Sequence, residues 1–190
     1  MPPTLWADPD GSEGLLAEND ARARFEEAML PHLGAAYNLA RWLTRNDHDA
    51  EDVVQEAYLR AYQFFDGFHG GDGRAWLLRI VRNTCYSWLE KNRPREPAVD
   101  FDETKHSAER MEGGPEVPLI ASEERAMLRR ALEELPPEFR ETIVLRELEG
   151  LSYKEIAAVA GVPVGTVMSR LARARERLQE YLTTVKREEA

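Results

Sequence analysis

Residues 151–178 constrain this chain more than any other stretch, because their pattern predicts two helices joined by a tight turn. Ser152 and Glu155 have the spacing of a capping box at the start of the first helix, and Gly161 is placed to end it. Pro163 has the fixed φ that suits the first turn of a second helix. The pattern predicts a helix-turn-helix, a motif whose second helix enters DNA.

The second helix of this motif has two distinct faces. Its apolar residues recur at helical spacing and predict a buried stripe of Val167, Leu171, Ala174 and Leu178. The opposite face is polar and basic, with Thr166, Ser169, Arg170, Arg173 and Arg177. Small hydroxyl residues suit contacts with base edges, and the arginines behind them suit phosphates. The alternative is an ordinary helical hairpin whose outer face is merely solvated.

The charge distribution is uneven. The 190 residues carry a net charge of −10, whereas DNA-binding domains are often basic. Residues 151–187 nevertheless have a local charge of +4, and so do residues 74–93. Because phosphate neutralisation supplies most nonspecific affinity, we expect weak binding to free DNA and the need for a larger partner that holds the chain on the duplex.

Several classes of protein are not expected from the composition. Cys85 is the single cysteine, and the four histidines are scattered, so we expect neither a metal site nor a cofactor. Cys85 lies in an apolar segment and is expected to be a core residue. No apolar run of about 18 residues is present, and the N-terminus lacks the features of a signal peptide, so we expect a cytoplasmic protein with no membrane insertion.

Helical periodicity recurs in two blocks, which predicts an all-α protein of two small domains. We expect an acidic, disordered N-terminal extension over residues 1–20 and a helical bundle over residues 21–93. A flexible acidic linker is expected over residues 94–121, because four prolines and a Gly-Gly pair fall near it. The helix-turn-helix domain is expected over residues 122–187.

The first block contains a helix with an outward polar stripe. Asp49 is placed to cap it, and Val53, Ala57 and Ala61 are expected to point inward. This leaves Asp52, Gln55 and Glu56 on the outer face. A polar solvated surface is the usual explanation of such a stripe.

The last part of the first block combines aromatic, glycine and basic residues. The loop FFDGFHGGDG is rich in both glycine and phenylalanine, and the helix expected from Arg74 to Lys91 carries tryptophans among its arginines. Aromatic side chains beside cations suit stacking on unpaired bases. Trp88 is expected to be a core residue.

Taken together, DAEDVVQEAYLRAY, GRAWLLRIVRNTCYSWLEKNR and the helix-turn-helix resemble bacterial sigma factors of the extracytoplasmic-function (ECF) group. The resemblance covers residues 25–93, as sigma region 2, and residues 129–182, as sigma region 4. It departs from the family at Met168, where many members have lysine, and at Ser87, where an acidic residue is common.

The resemblance implies a non-enzymatic subunit that binds core RNA polymerase and directs promoter recognition and melting. It also implies an anti-sigma factor as a partner, in a stress or envelope response. By the resemblance, polymerase is bound by Asp52, Gln55 and Glu56. The minus-ten element is contacted by Phe65, Phe68, Arg79, Arg82 and Asn83. The minus-thirty-five element is contacted by Thr166, Ser169, Arg170 and Arg173.

Two other functions remain open from the residues alone. A dimeric helix-turn-helix repressor or activator would need a dimerisation helix, and the sequence offers no heptad seam. A helical adaptor that binds no DNA would not need the two basic segments.

Overall fold

The computed structural model describes residues 10–92 and 119–188, which form two helical bundles. The N-terminal bundle (residues 10–92) and the C-terminal bundle (residues 119–188) contain four α-helices each. The helices of the N-terminal bundle are α1 (Asp10–Met29), α2 (Leu33–Thr44), α3 (Asp47–Gln63) and α4 (Gly73–Lys91). Those of the C-terminal bundle are α5 (Leu119–Glu133), α6 (Pro137–Ile143), α7 (Tyr153–Ala160) and α8 (Val164–Glu188).

Two of the expected boundaries need correction. The N-terminal extension was expected to be disordered over residues 1–20, yet α1 already begins at Asp10. Leucine, alanine and glutamate, all good helix formers, occur within residues 10–20 and favour this longer helix. Helix α5 begins at Leu119, three residues before the expected domain boundary at 122. The rest of the expected linker, residues 94–118, and residues 1–9 of the extension lie outside the described residues.

Local sequence explains how the helices of the N-terminal bundle begin and end. Pro31 lies in a 3₁₀ turn, Leu30–His32, which separates α1 from α2, because proline cannot continue the hydrogen bonding of a helix interior. Helix α3 is capped by Asn46, whose side chain accepts a hydrogen bond from the backbone N–H of Asp49 at 3.1 Å. The prediction that Asp49 is the cap was therefore wrong by three residues, because asparagine caps as well as aspartate.

The core of the N-terminal bundle lies where α2, α3 and α4 meet. Leu39, Leu43, Leu77 and Val81 are fully buried there or nearly so. The predicted inward stripe of α3 is confirmed, because Val53, Ala57 and Ala61 are all buried. Because the core contacts this inner side of the helix, the outer face of α3 is free to bind a partner. Trp88 of α4 is only partly buried and packs against the edge of the core.

The helix-turn-helix forms as its sequence predicts. Ser152 and Glu155 make a reciprocal capping box at the start of α7, and Gly161 ends that helix with a φ of 68°. Such a left-handed backbone favours glycine. Pro163 lies just before the first residue of α8 and accepts a hydrogen bond from the N–H of Thr166 at 2.9 Å through its carbonyl. It thus precedes the helix instead of lying in its first turn.

The two bundles are packed on one another. Helix α4 lies against α7, and α2 lies against α6. Buried apolar residues of both bundles belong to one continuous cluster. This arrangement brings polar side chains of the C-terminal bundle onto α4. Among the described residues, no single helix is long and apolar enough to cross a membrane.

Candidate nucleic-acid interface

The recognition surface predicted on α8 is largely open to solvent. Val167, Leu171 and Ala174 are buried against the rest of the C-terminal bundle, as the periodicity predicts, whereas Leu178, the fourth member of the predicted stripe, is only half-buried. Ser169 is exposed on the other side of the helix, and its hydroxyl donates a hydrogen bond to the carbonyl of Thr166 at 2.9 Å. Thr166 itself is half-buried. The first two turns of α8 therefore carry two small hydroxyl side chains. In a helix-turn-helix, this N-terminal end of the second helix is the part that contacts base edges in the major groove.

The predicted arginines of α8 differ in their environment. Arg173 is exposed, whereas Arg170 is half-buried. One terminal guanidinium nitrogen of Arg170 is enclosed and finds no hydrogen-bond partner among the described residues. Arg177 lies over the ring of Phe139, with its guanidinium carbon 5.2 Å from the ring centroid. Arg173 is thus freer for DNA than Arg170, and Arg177 also has a packing role.

The glycine-rich loop after α3 is anchored by an aromatic cluster. The ring of Phe65 packs edge-on against Phe25 at 5.2 Å between centroids and stacks on Phe68 at 5.8 Å. Phe68 in turn contacts Trp76 at 5.2 Å. Phe65 and Phe68 are therefore half-buried and shape the loop. Phe64 is 64% exposed and was not singled out from the sequence, although its place in the aromatic run was visible there.

The polar side chains predicted to contact DNA from α4 differ in exposure, because some of them face solvent and one contacts the C-terminal bundle. Arg79 and Asn83 are exposed. Arg82 is half-buried, and its Nε lies 2.7 Å from a carboxylate oxygen of Glu141 in α6. A second guanidinium nitrogen of Arg82 donates to the side-chain oxygen of Asn83 at 3.2 Å. Only part of the predicted minus-ten surface is therefore accessible in this arrangement.

Tyr86 completes the polar cluster around Glu141. Its phenol donates a hydrogen bond to the Glu141 carboxylate at 2.6 Å, and its ring lies 4.3 Å from the guanidinium carbon of Arg82. Burial, together with the nearby Glu141 carboxylate, raises the pKa of the Tyr86 phenol far above its ordinary value. The phenol is therefore a permanent donor to this carboxylate at physiological pH.

The polar stripe of α3 is exposed as predicted. Asp52, Gln55 and Glu56 all face solvent, opposite the buried stripe of the same helix. Glu56 forms an ion pair with Arg60 one turn along the helix. Leu59, which is 65% exposed, extends the same face with an apolar side chain that the sequence analysis did not assign. A mixed polar and apolar surface of this kind suits contact with another protein.

The described residues include no group of three or more His, Cys, Asp or Glu side chains placed to hold a metal ion. Cys85 is fully buried, as expected of a core residue. Burial raises the pKa of its thiol to about 12, and the Glu141 carboxylate adds to this effect. The thiol is therefore protonated and weakly nucleophilic at neutral pH.

The geometry thus defines a two-bundle, helix-turn-helix protein, and comparison with known proteins shows its family. The family model for Sigma-70 region 2 matches residues 29–95, and that for Sigma-70, region 4 matches residues 125–178. The chain is 38% identical over 178 residues to the ECF RNA polymerase sigma factor SigE of Mycolicibacterium smegmatis, covering 92% of this chain and 68% of that protein. It is 44% identical over 137 residues to the ECF RNA polymerase sigma-E factor of Escherichia coli (strain K12), covering 67% of this chain and 71% of that protein.

Solved structures agree with these relatives. The sigma factor RpoE in complex with the anti-sigma factor NepR from Bartonella quintana gives a TM-score of 0.63 at 30% identity, covering 84% of this chain and 97% of that one. CnrH in complex with the cytosolic domain of CnrY gives a TM-score of 0.61 at 28% identity, covering 90% of this chain and 96% of that one.

The chain belongs to the ECF sigma factors of RNA polymerase. It is a transcription initiation factor and not an enzyme, and its partners are core RNA polymerase and promoter DNA. Family membership decides against the dimeric repressor and the helical adaptor that the residues alone left open.

Proposed function

We propose that the C-terminal bundle reads the minus-thirty-five element through the exposed face of α8. The observation that carries this proposal is the division of α8 into a buried stripe and an opposite face with Thr166, Ser169 and Arg173. Hydroxyl groups near the start of the helix suit base edges, and Arg173 suits a guanine edge or a phosphate. Arg170, which is half-buried, is assigned to the same surface.

The N-terminal bundle contacts the minus-ten element through α4 and the loop before it. Arg79 and Asn83 are exposed, and Arg82 lies on the same helix. Phe65 and Phe68 support the wall of the loop by stacking on one another. A base that leaves the duplex loses a few kcal/mol of stacking, and an aromatic and cationic surface offsets that loss.

Core polymerase docks on the outer face of α3 through Asp52, Gln55 and Glu56. The support for this assignment is that the three side chains are exposed on one face of a helix whose other face is fixed in the core. Because the docking face does not contribute to the core, it is able to bind a partner without unfolding the bundle.

The factor acts in the cytoplasm, where polymerase and DNA are, and an anti-sigma factor restrains it until a stress or envelope signal releases it. Support comes from two solved relatives. One is a sigma factor in complex with the anti-sigma factor NepR, and the other is CnrH in complex with the cytosolic domain of CnrY.

A transcription selection tests the promoter assignments. Core RNA polymerase reconstituted with this chain is given a DNA library in which the minus-ten and minus-thirty-five elements are randomised, and the transcripts are sequenced. We expect enrichment at both elements, and we expect the R173A variant to lose preference at one minus-thirty-five position only. Transcripts without enrichment at either element would overturn the assignment.

A further inference from the structure

A row of apolar side chains on α8 lies outside the buried stripe of that helix. Val164, Met168 and Ala172 follow one another at intervals of four residues, so their side chains lie on one side of the helix. Val164 is 38% exposed and Met168 is 54% exposed, and Ala172 is exposed as well. The described part of the chain therefore leaves these three side chains, the α8 apolar row, uncovered.

The α8 apolar row lies beside the polar face assigned to the minus-thirty-five element. Ser169 follows Met168 in the chain and Arg173 follows Ala172, and both polar residues are exposed. Successive residues of an α-helix are turned by about 100°, so the apolar and polar residues occupy neighbouring sides of α8. A helix with its side chains is about 10–12 Å wide, and the major groove is about 12 Å wide. A helix that enters the groove with Ser169 and Arg173 therefore brings the α8 apolar row against the base edges or the walls of the groove.

The chemistry of Met168 restricts what it binds in the groove. A thioether carries no charge and is at most a weak hydrogen-bond acceptor, so it forms no ion pair with a phosphate. The major groove of B-DNA presents an apolar group in the C5-methyl of thymine. The methionine side chain has three rotatable bonds and a polarizable sulfur, so it adapts its shape to such a group. Contact between the two removes apolar surface of both from water, which favours binding.

We propose that Met168 is a specificity determinant that packs against the C5-methyl group of a thymine in the minus-thirty-five element. The proposal rests on the proposed function, because that function places α8 in the major groove of this element. Val164, about one turn earlier, extends the same contact along the groove. Met168 thus adds a discrimination between bases that the polar groups of Ser169 and Arg173 do not supply.

The size and setting of the α8 apolar row favour DNA over a protein partner. A specific protein interface covers about 800 Å² on each partner, and three side chains, one of them alanine, offer only a small part of that area. Residues 151–187 have a local charge of +4, which attracts the phosphates on either side of the base edges. The row is therefore the apolar part of a nucleic-acid surface.

The test changes one methyl group of the DNA at a time. Wild-type holoenzyme first selects its minus-thirty-five element from the randomised library. Each thymine of the selected element, on either strand, is then replaced singly by deoxyuridine, which keeps the hydrogen-bonding groups of thymine and lacks its methyl. Competition binding followed by fluorescence anisotropy measures the affinity of holoenzyme for each duplex. The variants are M168A, M168L and M168K, and the control is L128A, which shortens an apolar side chain of α5 that is 45% exposed.

We expect wild type and L128A to bind one of the deoxyuridine duplexes about fourfold less tightly than the thymine duplex, which is the effect of one buried methyl group. M168A should bind these two duplexes equally, because alanine no longer reaches the methyl. M168L should keep most of the difference, since leucine is apolar and of similar volume. M168K should bind both duplexes equally and more tightly than M168A, because an ammonium group pairs with phosphate whatever the base.

Three results would overturn the proposal: a selected element with no thymine on either strand, a wild type that no deoxyuridine change weakens, or an M168A variant that keeps the fourfold difference. Because Met168 is exposed, its substitution leaves the core intact, and circular dichroism checks the helix content of each variant. If M168A were unfolded, the comparison of M168K with M168L would decide in the same way.

Two readings separate this proposal from the proposed function. A wild-type holoenzyme with no preference at the minus-thirty-five element would count against the proposed function. A normal preference that no deoxyuridine change affects would count against the Met168 contact alone. Capture of core RNA polymerase is measured for every variant, and a capture that M168A weakens while the response to deoxyuridine is unchanged would assign the α8 apolar row to a protein contact and overturn the proposal.

Discussion

The guanidinium of Arg140 in α6 donates a hydrogen bond of 2.9 Å to the carbonyl oxygen of Trp42, near the end of α2 in the other bundle. The same side chain donates to the carbonyls of Leu132 at 3.0 Å, Glu133 at 2.9 Å and Leu135 at 2.6 Å. Burial lowers the pKa of Arg140 to about 10, so the group remains charged at neutral pH. Arg140 thus joins the end of α5 to the N-terminal bundle.

Replacing Arg140 with alanine should lower the free energy of unfolding by about 3 kcal/mol, because four carbonyls, two of them buried and two half-buried, lose a charged donor. Replacing Arg140 with lysine should recover only part of the lost free energy of unfolding, since an ammonium group lacks the planar fork of donors. Chemical denaturation followed by circular dichroism measures the effect. The control is Arg24→Ala at an exposed position of α1, which should change stability by less than about 0.5 kcal/mol. Equal stability of R140A and R24A would refute the structural role of Arg140.

Arg173 is predicted to contribute to promoter specificity. Because its side chain is exposed on the free face of α8, R173A should weaken promoter binding of holoenzyme by about 1–3 kcal/mol and relax preference at one position. Holoenzyme binding to a set of singly altered minus-thirty-five elements measures this. Arg175 provides the matched control, since it is exposed but pairs with Glu147 at 2.7 Å, and R175A should leave the preference unchanged. An R173A variant with the wild-type preference would remove Arg173 from the base-reading surface.

Cys85 is predicted to be inert in the native protein. It is fully buried in α4, and burial raises the pKa of its thiol to about 12, so very little thiolate forms at pH 8. A disulfide reagent that reports free thiols should react slowly with native protein and rapidly after denaturation in guanidinium chloride. Because Cys85 is the single cysteine, the signal has one source. Fast, complete reaction of the native protein would contradict the buried position.

The capping box of α7 predicts a pH dependence of stability. Hydrogen bonds from the side chain and backbone of Ser152 lower the pKa of Glu155 below its ordinary value. A carboxylate with a lowered folded-state pKa contributes stability above its unfolded-state pKa, and this contribution is lost as pH falls through the folded-state value. Wild type should therefore melt at a higher temperature than E155Q near neutral pH, and the difference should vanish in acid. A difference that is constant from neutral to acid pH would contradict this.

Local sequence was sufficient for much of this fold. The capping box at Ser152 and Glu155, the left-handed Gly161 and the buried stripe of α8 follow from neighbouring residues alone, and each is present in the structure. Local rules also explain the errors. Asn46 and Asp49 are both good N-caps, because asparagine and aspartate have about equal preference for that position. Residue preference alone could not choose between them, so the start of α3 was misplaced by about one turn.

The contacts between the bundles could not be predicted in the same way. Glu141 reads as an ordinary acidic residue of a short helix, and its burial depends on Arg82 and Tyr86, which lie 59 and 55 residues away in the chain. The half-buried state of Phe65 and Phe68 depends likewise on Phe25 and the packing of α1. Residue type indicated which side chains suit DNA. Tertiary packing decides which of these side chains are exposed to solvent and which are held against other parts of the protein.

The proposed function depends most directly on the association of this chain with core RNA polymerase through α3. The measurement is capture of purified core polymerase by wild type and by the variant with Gln55→Ala and Glu56→Lys. Both residues lie outside the buried stripe of α3, so the variant should melt within a few degrees of wild type, with loss of the exposed Glu56–Arg60 pair as a minor cost. The matched control is Glu27→Lys at an exposed position of α1, which makes the same charge reversal.

We expect wild type and E27K to capture polymerase equally and the α3 variant, although folded, to capture none. Capture of the α3 variant with undiminished affinity would contradict the docking surface, and a wild-type chain that fails to bind core polymerase would contradict the account as a whole.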